Sequence, residues 1–193
     1  MRVTGLSGLS AIPLGRTVHR PERRMTQREI DYIIWQNRSC RFYLAARALH
    51  HQGLHAPACY CAHQATELMM KATLHYWDRS FSPRVPGHNL RRMMRMIGNK
   101  VPKARSLTLP QYFVHEQRFL TVTRYPTAGR GVYVPSTLIV DLDRLLVDLV
   151  CLVPFQFNSE LRRAVQGRDR PSLLVLRRRN AELRRLRRFL ASH

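Results

Sequence analysis

Apolar residues recur every three or four positions along most of this chain, which is the spacing of one face of an α-helix. The first such stretch follows Thr26 and Glu29, a pair typical of a capping box, and it stops at Gly53, a residue typical of a helix end. A long first helix is therefore predicted. We expect its inward face to consist of Ile30, Ile33, Ile34, Asn37, Cys40, Arg41, Leu44 and Ala48.

A second helix is predicted from about Pro57 to Asp78. Its apolar face would hold Cys61, Ala65, Leu68, Met69, Ala72 and Tyr76. His63, Glu67 and Lys71 recur at intervals of four, so they share the opposite face and form a polar ridge. This pattern favours one of two roles, a structural Glu–Lys ion pair on an exposed face or the wall of a groove that contacts a ligand.

Three further helices follow. The segment "HNLRRMMRMIG" predicts a short helix with Leu90, Met93, Met94 and Ile97 inward and Arg91, Arg92 and Arg95 outward. Pro110 is placed to start another helix that runs towards Tyr125, and Ser136 to cap one that ends near Val153. Because strand-like alternation is weak everywhere, the predicted fold is an all-α, antiparallel up-and-down helical bundle over residues 26–153.

Residues 154–193 are richer in arginine than the predicted bundle and form a C-terminal extension. We predict one basic helix in it. Its leucines, Leu173, Leu176, Leu183, Leu186 and Leu190, have helical spacing. Such a helix can dock its leucines on the bundle and present arginines to phosphates; a solvated basic helix and a partner-binding helix are the alternatives. The candidate nucleic-acid-binding residues are Arg177, Arg178, Arg179, Arg184, Arg185, Arg187 and Arg188.

The charge balance points to an anionic partner. The chain has 33 Lys plus Arg against 12 Asp plus Glu, a formal net charge of +21. RNA, DNA or an acidic protein is the natural counterpart of such a charge. A GC-rich genome is the competing explanation, since Lys71, Lys100 and Lys103 are the only lysines and the remaining cations are arginines.

The composition of the first 25 residues predicts a basic tail. This tail is either disordered or an organellar transit peptide, and Met25 is an alternative start of the protein. No stretch has the roughly 18 uncharged apolar residues of a membrane span. The expected location is therefore the cytoplasm, or an organelle if the tail is a transit peptide.

No metal and no cofactor are predicted. Cys59, Cys61 and His63 lie close in sequence, but on a helix alternate residues point about 200° apart, so Cys61 cannot join the other two at one ion.

Three segments in order carry a family resemblance: "FYLAARALHHQGLHAPACYCAHQATELMMKATLHYW", then "GHNLRRMM", then "RFLTVTRYPTA". They resemble the HEPN domain, the higher-eukaryote and prokaryote nucleotide-binding family, over roughly residues 26 to 153. The matching residues are Gln64, Ala65, Glu67, Lys71, Ala72, His88, Leu90, Thr123, Arg124, Tyr125 and Pro126. The resemblance implies a small helical bundle that often dimerises and that in bacteria often has a minimal nucleotidyltransferase as its partner.

The same resemblance implies a ligand site on the ridge. Lys71 would meet a nucleotide phosphate with Glu67 orienting it, and Arg124 and Tyr125 would face them across a groove. His63 lies on the same ridge. His88 would either contact a phosphate at a helix start or cap that helix.

The family also contains metal-independent ribonucleases, which use an Arg and a His separated by four to six residues. In this chain the match is Arg187 or Arg188 with His193, beyond the family-like region. The main prediction is therefore a non-catalytic protein that binds nucleotide or nucleic acid within a complex. A toxin-type ribonuclease and a structural RNA-holding subunit of a large assembly are the alternatives.

Overall fold

The computed structural model describes residues 25–114, 134–154 and 159–192, and all regular structure in these ranges is helical. The helices are α1 Gln27–His51, α2 His55–Trp77, α3 Leu90–Lys100, α4 Gln111–Val114, α5 Leu138–Val150, α6 Glu160–Val165, α7 Arg170–Arg177 and α8 Leu183–Ala191, with a 3-10 turn at Pro102–Ala104. The all-α prediction is confirmed. None of the described helices is long and apolar enough to cross a membrane. The predicted basic tail lies outside the described residues except for Met25.

The ends of α1 are as predicted. Thr26 and Glu29 form the capping box, with each side chain bonded to the other's backbone N–H. Gly53 has φ +78°, a left-handed conformation that glycine adopts without strain, and it turns the chain back into α2. α1 and α2 then pack along each other as an antiparallel pair.

The predicted inward face of α1 is largely wrong. Ile30 and Ile34 are 37% and 40% exposed, whereas the buried residues are Tyr32, Gln36, Ser39, Cys40, Tyr43, Ala46 and Arg47. Several of these are polar, and they can be buried because each finds a partner inside the protein. The Tyr32 hydroxyl, for example, donates to the Pro154 carbonyl. Hydrophobic spacing alone therefore selected the wrong face.

α2 is the central helix, in contact with α1, α3 and α5. It is buried on almost every side, and its buried residues include His63 and Glu67 as well as Met69, Met70 and Leu74. The ridge therefore does not lie on an exposed face, as one of its two predicted roles required. Tyr76, predicted as inward, is 44% exposed.

α3 and α5 follow their predicted patterns with changes at their caps. In α3, the four predicted apolar residues are buried and Arg91, Arg92 and Arg95 are exposed. Asn89 caps this helix by accepting from the Arg92 N–H, so His88 is not the cap. In α5, Thr137 rather than Ser136 occupies the cap position, and no side chain bonds there. The predicted helix after Pro110 lies within the described residues only as α4.

The segment predicted as one basic C-terminal helix contains two helices, α7 and α8, and α6 precedes them. The five leucines are all buried, and Leu176, Leu183, Leu186 and Leu190 belong to the same core cluster as Met69 of α2 and Leu146 of α5. The hydrophobic core therefore continues past Pro154 into the Arg-rich segment.

Candidate functional site

The polar ridge of α2 is organised around Glu67. Its carboxylate accepts from Lys71 Nζ at 2.7 Å and contacts His88 Nδ1 at 2.9 Å and 3.0 Å, while His63 Nδ1 lies 3.8 Å away. We call Glu67, Lys71, His88 and His63 the carboxylate cluster. The structure thus brings together four of the six ligand-binding residues expected from the sequence.

Burial limits what Lys71 can do. The Glu67 side chain is 3% exposed and that of Lys71 is 12% exposed. A buried carboxylate that loses its partners is costly, so the ion pair resists separation. Lys71 therefore neutralises Glu67 and is a poor receptor for a nucleotide phosphate arriving from solvent.

His88 is the outward-facing member of the carboxylate cluster. Its side chain is 68% exposed, although its Nδ1 is hydrogen-bonded to the buried carboxylate of Glu67. An ionised carboxylate can only accept hydrogen bonds, so Nδ1 is the nitrogen that donates to it, and Nε2 is the nitrogen that points away from Glu67. The arrangement gives an accessible imidazole a fixed position.

His63 is the inward-facing member. It is fully buried, and its ring lies edge-on against Phe113 with centroids 6.3 Å apart. Its burial gives no support to the expected contact with a ligand from solvent, and that role stays a prediction.

Arg124, Tyr125 and His193 lie outside the described residues. The predicted groove opposite the ridge and the Arg188–His193 pair therefore remain predictions. Arg188 itself is exposed on α8.

The cysteines lie mostly inside the protein. Cys40 and Cys59 are fully buried, and burial raises the pKa of both thiols, that of Cys59 to about 12. A protonated thiol is a poor metal ligand. In the described ranges no three His, Cys, Asp or Glu side chains are grouped as a metal site would need.

A second polar cluster was not predicted from the sequence. Arg47 of α1 donates to the carboxylate of Asp143 on α5, and the Tyr43 hydroxyl donates to the other oxygen of that carboxylate at 2.6 Å. Asn180 donates to the Tyr43 hydroxyl at 3.1 Å. We call Arg47, Asp143, Tyr43 and Asn180 the buried ion-pair network.

The buried ion-pair network also ties down the C-terminal backbone. Arg47 Nε donates to the Val175 carbonyl at 3.2 Å, and its Nη2 donates to the Arg178 carbonyl. Burial raises the pKa of Asp143, and the Arg47 charge opposes this effect; burial also raises the pKa of Tyr43 well above its usual value. Helical spacing of apolar residues gives no signal for such a cluster, because α5 carries three aspartates, Asp141, Asp143 and Asp148, and spacing alone does not tell which of them pairs inside the protein.

The seven candidate arginines of the C-terminal segment are all exposed. Arg185 is bonded to Asp148 at 2.6 Å and lies 3.6 Å from Glu182, so its charge is already neutralised. No carboxylate of the described residues pairs with the other six, which we call the arginine surface: Arg177, Arg178, Arg179, Arg184, Arg187 and Arg188.

The described part of the molecule is thus a helical protein with a buried carboxylate cluster and a basic surface. In comparison with known families, the HEPN domain model matches residues 32–134, a little over half of the chain. The chain belongs to the HEPN domain family. Comparison with curated proteins and with solved structures gave no match.

Proposed function

We propose that this HEPN-domain protein binds nucleic acid through the phosphate backbone, using the arginine surface of its C-terminal helices. One observation carries the proposal. Leu176 of α7 and the three leucines of α8 are buried in the main core, while six neighbouring arginines stay exposed without a carboxylate partner among the described residues.

Packing of α7 and α8 into the core lowers the entropic cost at which their arginines can bind a ligand. A free basic helix would lose conformational freedom on binding, whereas helices packed into the core have already lost it. Each arginine that meets a phosphate releases a condensed counterion, so affinity should fall steeply as salt rises. The acidic side chains of residues 159–192 are Glu160, Asp169 and Glu182, too few to neutralise eleven arginines there.

A site on α2 is less well supported. Lys71 is paired with Glu67 and mostly buried, so its ammonium group is poorly placed to bind the nucleotide phosphate that the family resemblance implies. Binding without catalysis therefore remains the main proposal, and nucleic acid is favoured over a free nucleotide.

The proposal is tested by anisotropy of a labelled RNA titrated with the full chain across a salt series. The decisive variant replaces all six residues of the arginine surface with Gln, and the control replaces Arg91, Arg92 and Arg95 of α3. We expect the six-residue variant to lose nearly all binding and the control to lose little. Because the variant removes six charges and the control three, an equal loss of binding free energy per removed charge would mean that net charge alone binds the RNA.

The proposed function also includes assembly of the protein with a partner subunit. Ile30, Ile34, Tyr76 and Trp77 are each at least 37% exposed on the paired helices α1 and α2. We propose that this apolar surface mediates a homodimer; the further expectation of a nucleotidyltransferase partner rests on the family alone. Light scattering of wild-type protein and an Ile34→Glu variant tests the dimer, which the substitution should dissociate.

RNA cleavage is a second candidate function, favoured by the fixed and exposed imidazole of His88. Arg91 and Arg92 follow it within four residues and are exposed, so a cation for the phosphate is close in sequence. Labelled RNA incubated in excess EDTA should be cleaved by wild-type protein and left intact by a His88→Ala variant. A His55→Ala variant, which also removes an exposed histidine, serves as the control. Intact RNA with wild-type protein would exclude this candidate.

A further inference from the structure

The turn between α7 and α8 has an unfavourable backbone conformation. Arg179 has φ +49°, in the left-handed region, and among the described residues other than glycine it is the one with positive φ. A side chain with a Cβ atom is disfavoured there, and glycine or asparagine would fit better. Such strain persists where surrounding contacts impose it, and it is concentrated at functional sites.

The contacts that impose this conformation come from the buried ion-pair network. Arg47 holds the carbonyls of Val175 and Arg178 on one side of the turn. On the other side Asn180 bonds the Tyr43 hydroxyl with its amide nitrogen and the Glu182 N–H with its amide oxygen at 3.0 Å. The turn is therefore anchored before and after Arg179.

Hydrophobic anchors flank the same turn. Leu176 is fully buried and Leu183 is 8% exposed. Between them the chain places three consecutive exposed arginines, at positions 177–179. We call these three residues the arginine turn. Its backbone is held by an interior ion pair while its side chains face solvent, so a ligand would meet guanidinium groups on a rigid base.

We propose that the arginine turn is the phosphate-binding centre of the arginine surface, where adjacent phosphates of one nucleic-acid strand are held. The inference rests on the proposed function. It adds that the three arginines of the turn contribute more to nucleic-acid affinity than Arg184, Arg187 and Arg188 of α8. Arginine suits this role because its planar guanidinium can donate two parallel hydrogen bonds to one phosphate. The fixed backbone reduces the ordering that binding would otherwise require.

Two variants with the same loss of charge separate the turn from α8. The turn variant carries Arg177→Gln, Arg178→Gln and Arg179→Gly, and the helix variant carries Gln at positions 184, 187 and 188. Each is titrated in the full chain against a labelled single-stranded RNA and the DNA of the same sequence. We expect the turn variant to lose about tenfold or more in affinity and to flatten the salt dependence by about 2 in log–log slope, since each lost contact removes about 0.7. The helix variant should change both less.

The single substitution Arg179→Gly gives a sharper test because it separates stability from binding. Glycine relieves the left-handed strain, so the thermal midpoint should rise, while the loss of one guanidinium should weaken RNA binding. Arg84→Gly, in the exposed loop before α3, is the matched control and should leave RNA affinity unchanged. Arg179→Asn should behave like Arg179→Gly.

Asn180→Ala tests the positioning of the turn with every arginine retained. We expect lower affinity at each salt concentration with an unchanged salt slope, because the same contacts form on a less ordered backbone. Unchanged affinity in this variant, or unchanged affinity in Arg179→Gly, would overturn the inference.

The possible failures are distinguishable. If wild-type protein shows no salt-dependent binding of RNA or DNA, the proposed function fails and this inference with it. If wild-type protein binds and the turn and helix variants lose affinity equally, the proposed function stands and the inference fails. Tighter binding of RNA than of the matched DNA would identify RNA as the ligand, and equal binding would identify the shared phosphodiester backbone.

Discussion

Arg47 and Asp143 form an ion pair in the interior of the protein, with side chains that are 0% and 2% exposed. The pair joins α1 to α5, and through the carbonyls of Val175 and Arg178 it also joins the C-terminal helices. All three partners of Arg47 lie beyond residues 32–134, the range that matches the HEPN domain. The family-like part of the chain therefore depends on segments outside it for the pairing of a fully buried charge.

Removal of one partner of this ion pair should be strongly destabilising. We expect Arg47→Met to lower the free energy of unfolding by about 3–5 kcal/mol, because it leaves a buried carboxylate unpaired. Urea denaturation followed by circular dichroism measures this. The control is Arg41→Met, which breaks the Arg41–Glu160 pair at 2.7 Å with Arg41 66% exposed, and should cost no more than about 1 kcal/mol. Similar losses in the two variants would contradict the importance of burial.

The carboxylate cluster makes a parallel prediction. Lys71→Ala should destabilise the protein by about 1–3 kcal/mol, since Glu67 is left buried with fewer partners, and it should leave nucleic-acid affinity unchanged. Lys100→Ala breaks a pair with Asp78 at 3.2 Å in which Lys100 is 48% exposed, so its cost should stay below about 1 kcal/mol. Loss of ATP or RNA binding in Lys71→Ala without loss of stability would restore a ligand-binding role to the ridge.

Two glycines should respond to alanine with opposite signs. Gly53 has φ +78°, so Gly53→Ala should cost about 1 kcal/mol although no atom lies within 4 Å of the added Cβ. Gly98 lies inside α3, where an added Cβ would meet Arg105 atoms at 3.8 Å, an ordinary contact. Gly98→Ala should therefore stabilise the protein by about 0.5–1 kcal/mol. Thermal unfolding of both variants measures the signs, and equal signs would refute the assigned backbone conformations.

Truncation after Pro154 should prevent stable folding. The shortened chain would lose the carbonyl partners of Arg47 and the buried leucines of α7 and α8, each worth about 1.5–3 kcal/mol when fully buried. We expect a broad, low-temperature melt by circular dichroism and binding of a hydrophobic dye. A truncated chain with a sharp melt close to that of the full chain would show that residues 25–154 fold alone.

The Cys59 thiol predicts a pH dependence of stability. Burial raises its pKa to about 12, against about 8.5 for an unfolded cysteine. The buried thiol therefore makes its full contribution to the free energy of unfolding below about pH 8.5, and this contribution is lost as the pH rises towards 12. The difference in unfolding free energy between wild type and Cys59→Ala should shrink by about 1.4 kcal/mol per pH unit in that window. Denaturation at pH 7, 9 and 10 measures it, and a constant difference would contradict the raised pKa.

Local signals predicted much of the fold. The capping box at Thr26 and Glu29, the turn at Gly53 and the inward face of α3 are each decided by residues within a few positions of one another, and all were confirmed. The polar ridge of α2 was also correctly grouped, because spacing of four places side chains on one face of any helix. Its burial was not predicted, since that depends on α3 and the loop before it, which bring His88 to Glu67.

By itself, the sequence determined an all-α chain, a family and a surplus of arginine, because helix periodicity, motif order and charge are properties of the linear chain. Tertiary structure decided which face of α1 is buried, that Glu67 lies inside, and that the leucine-rich C-terminal segment breaks into α7 and α8. Residues 178–182 contain neither glycine nor proline to predict that break. It occurs because Arg47 and Tyr43, more than 125 positions away in sequence, offer partners to the turn that a continuous helix could not reach.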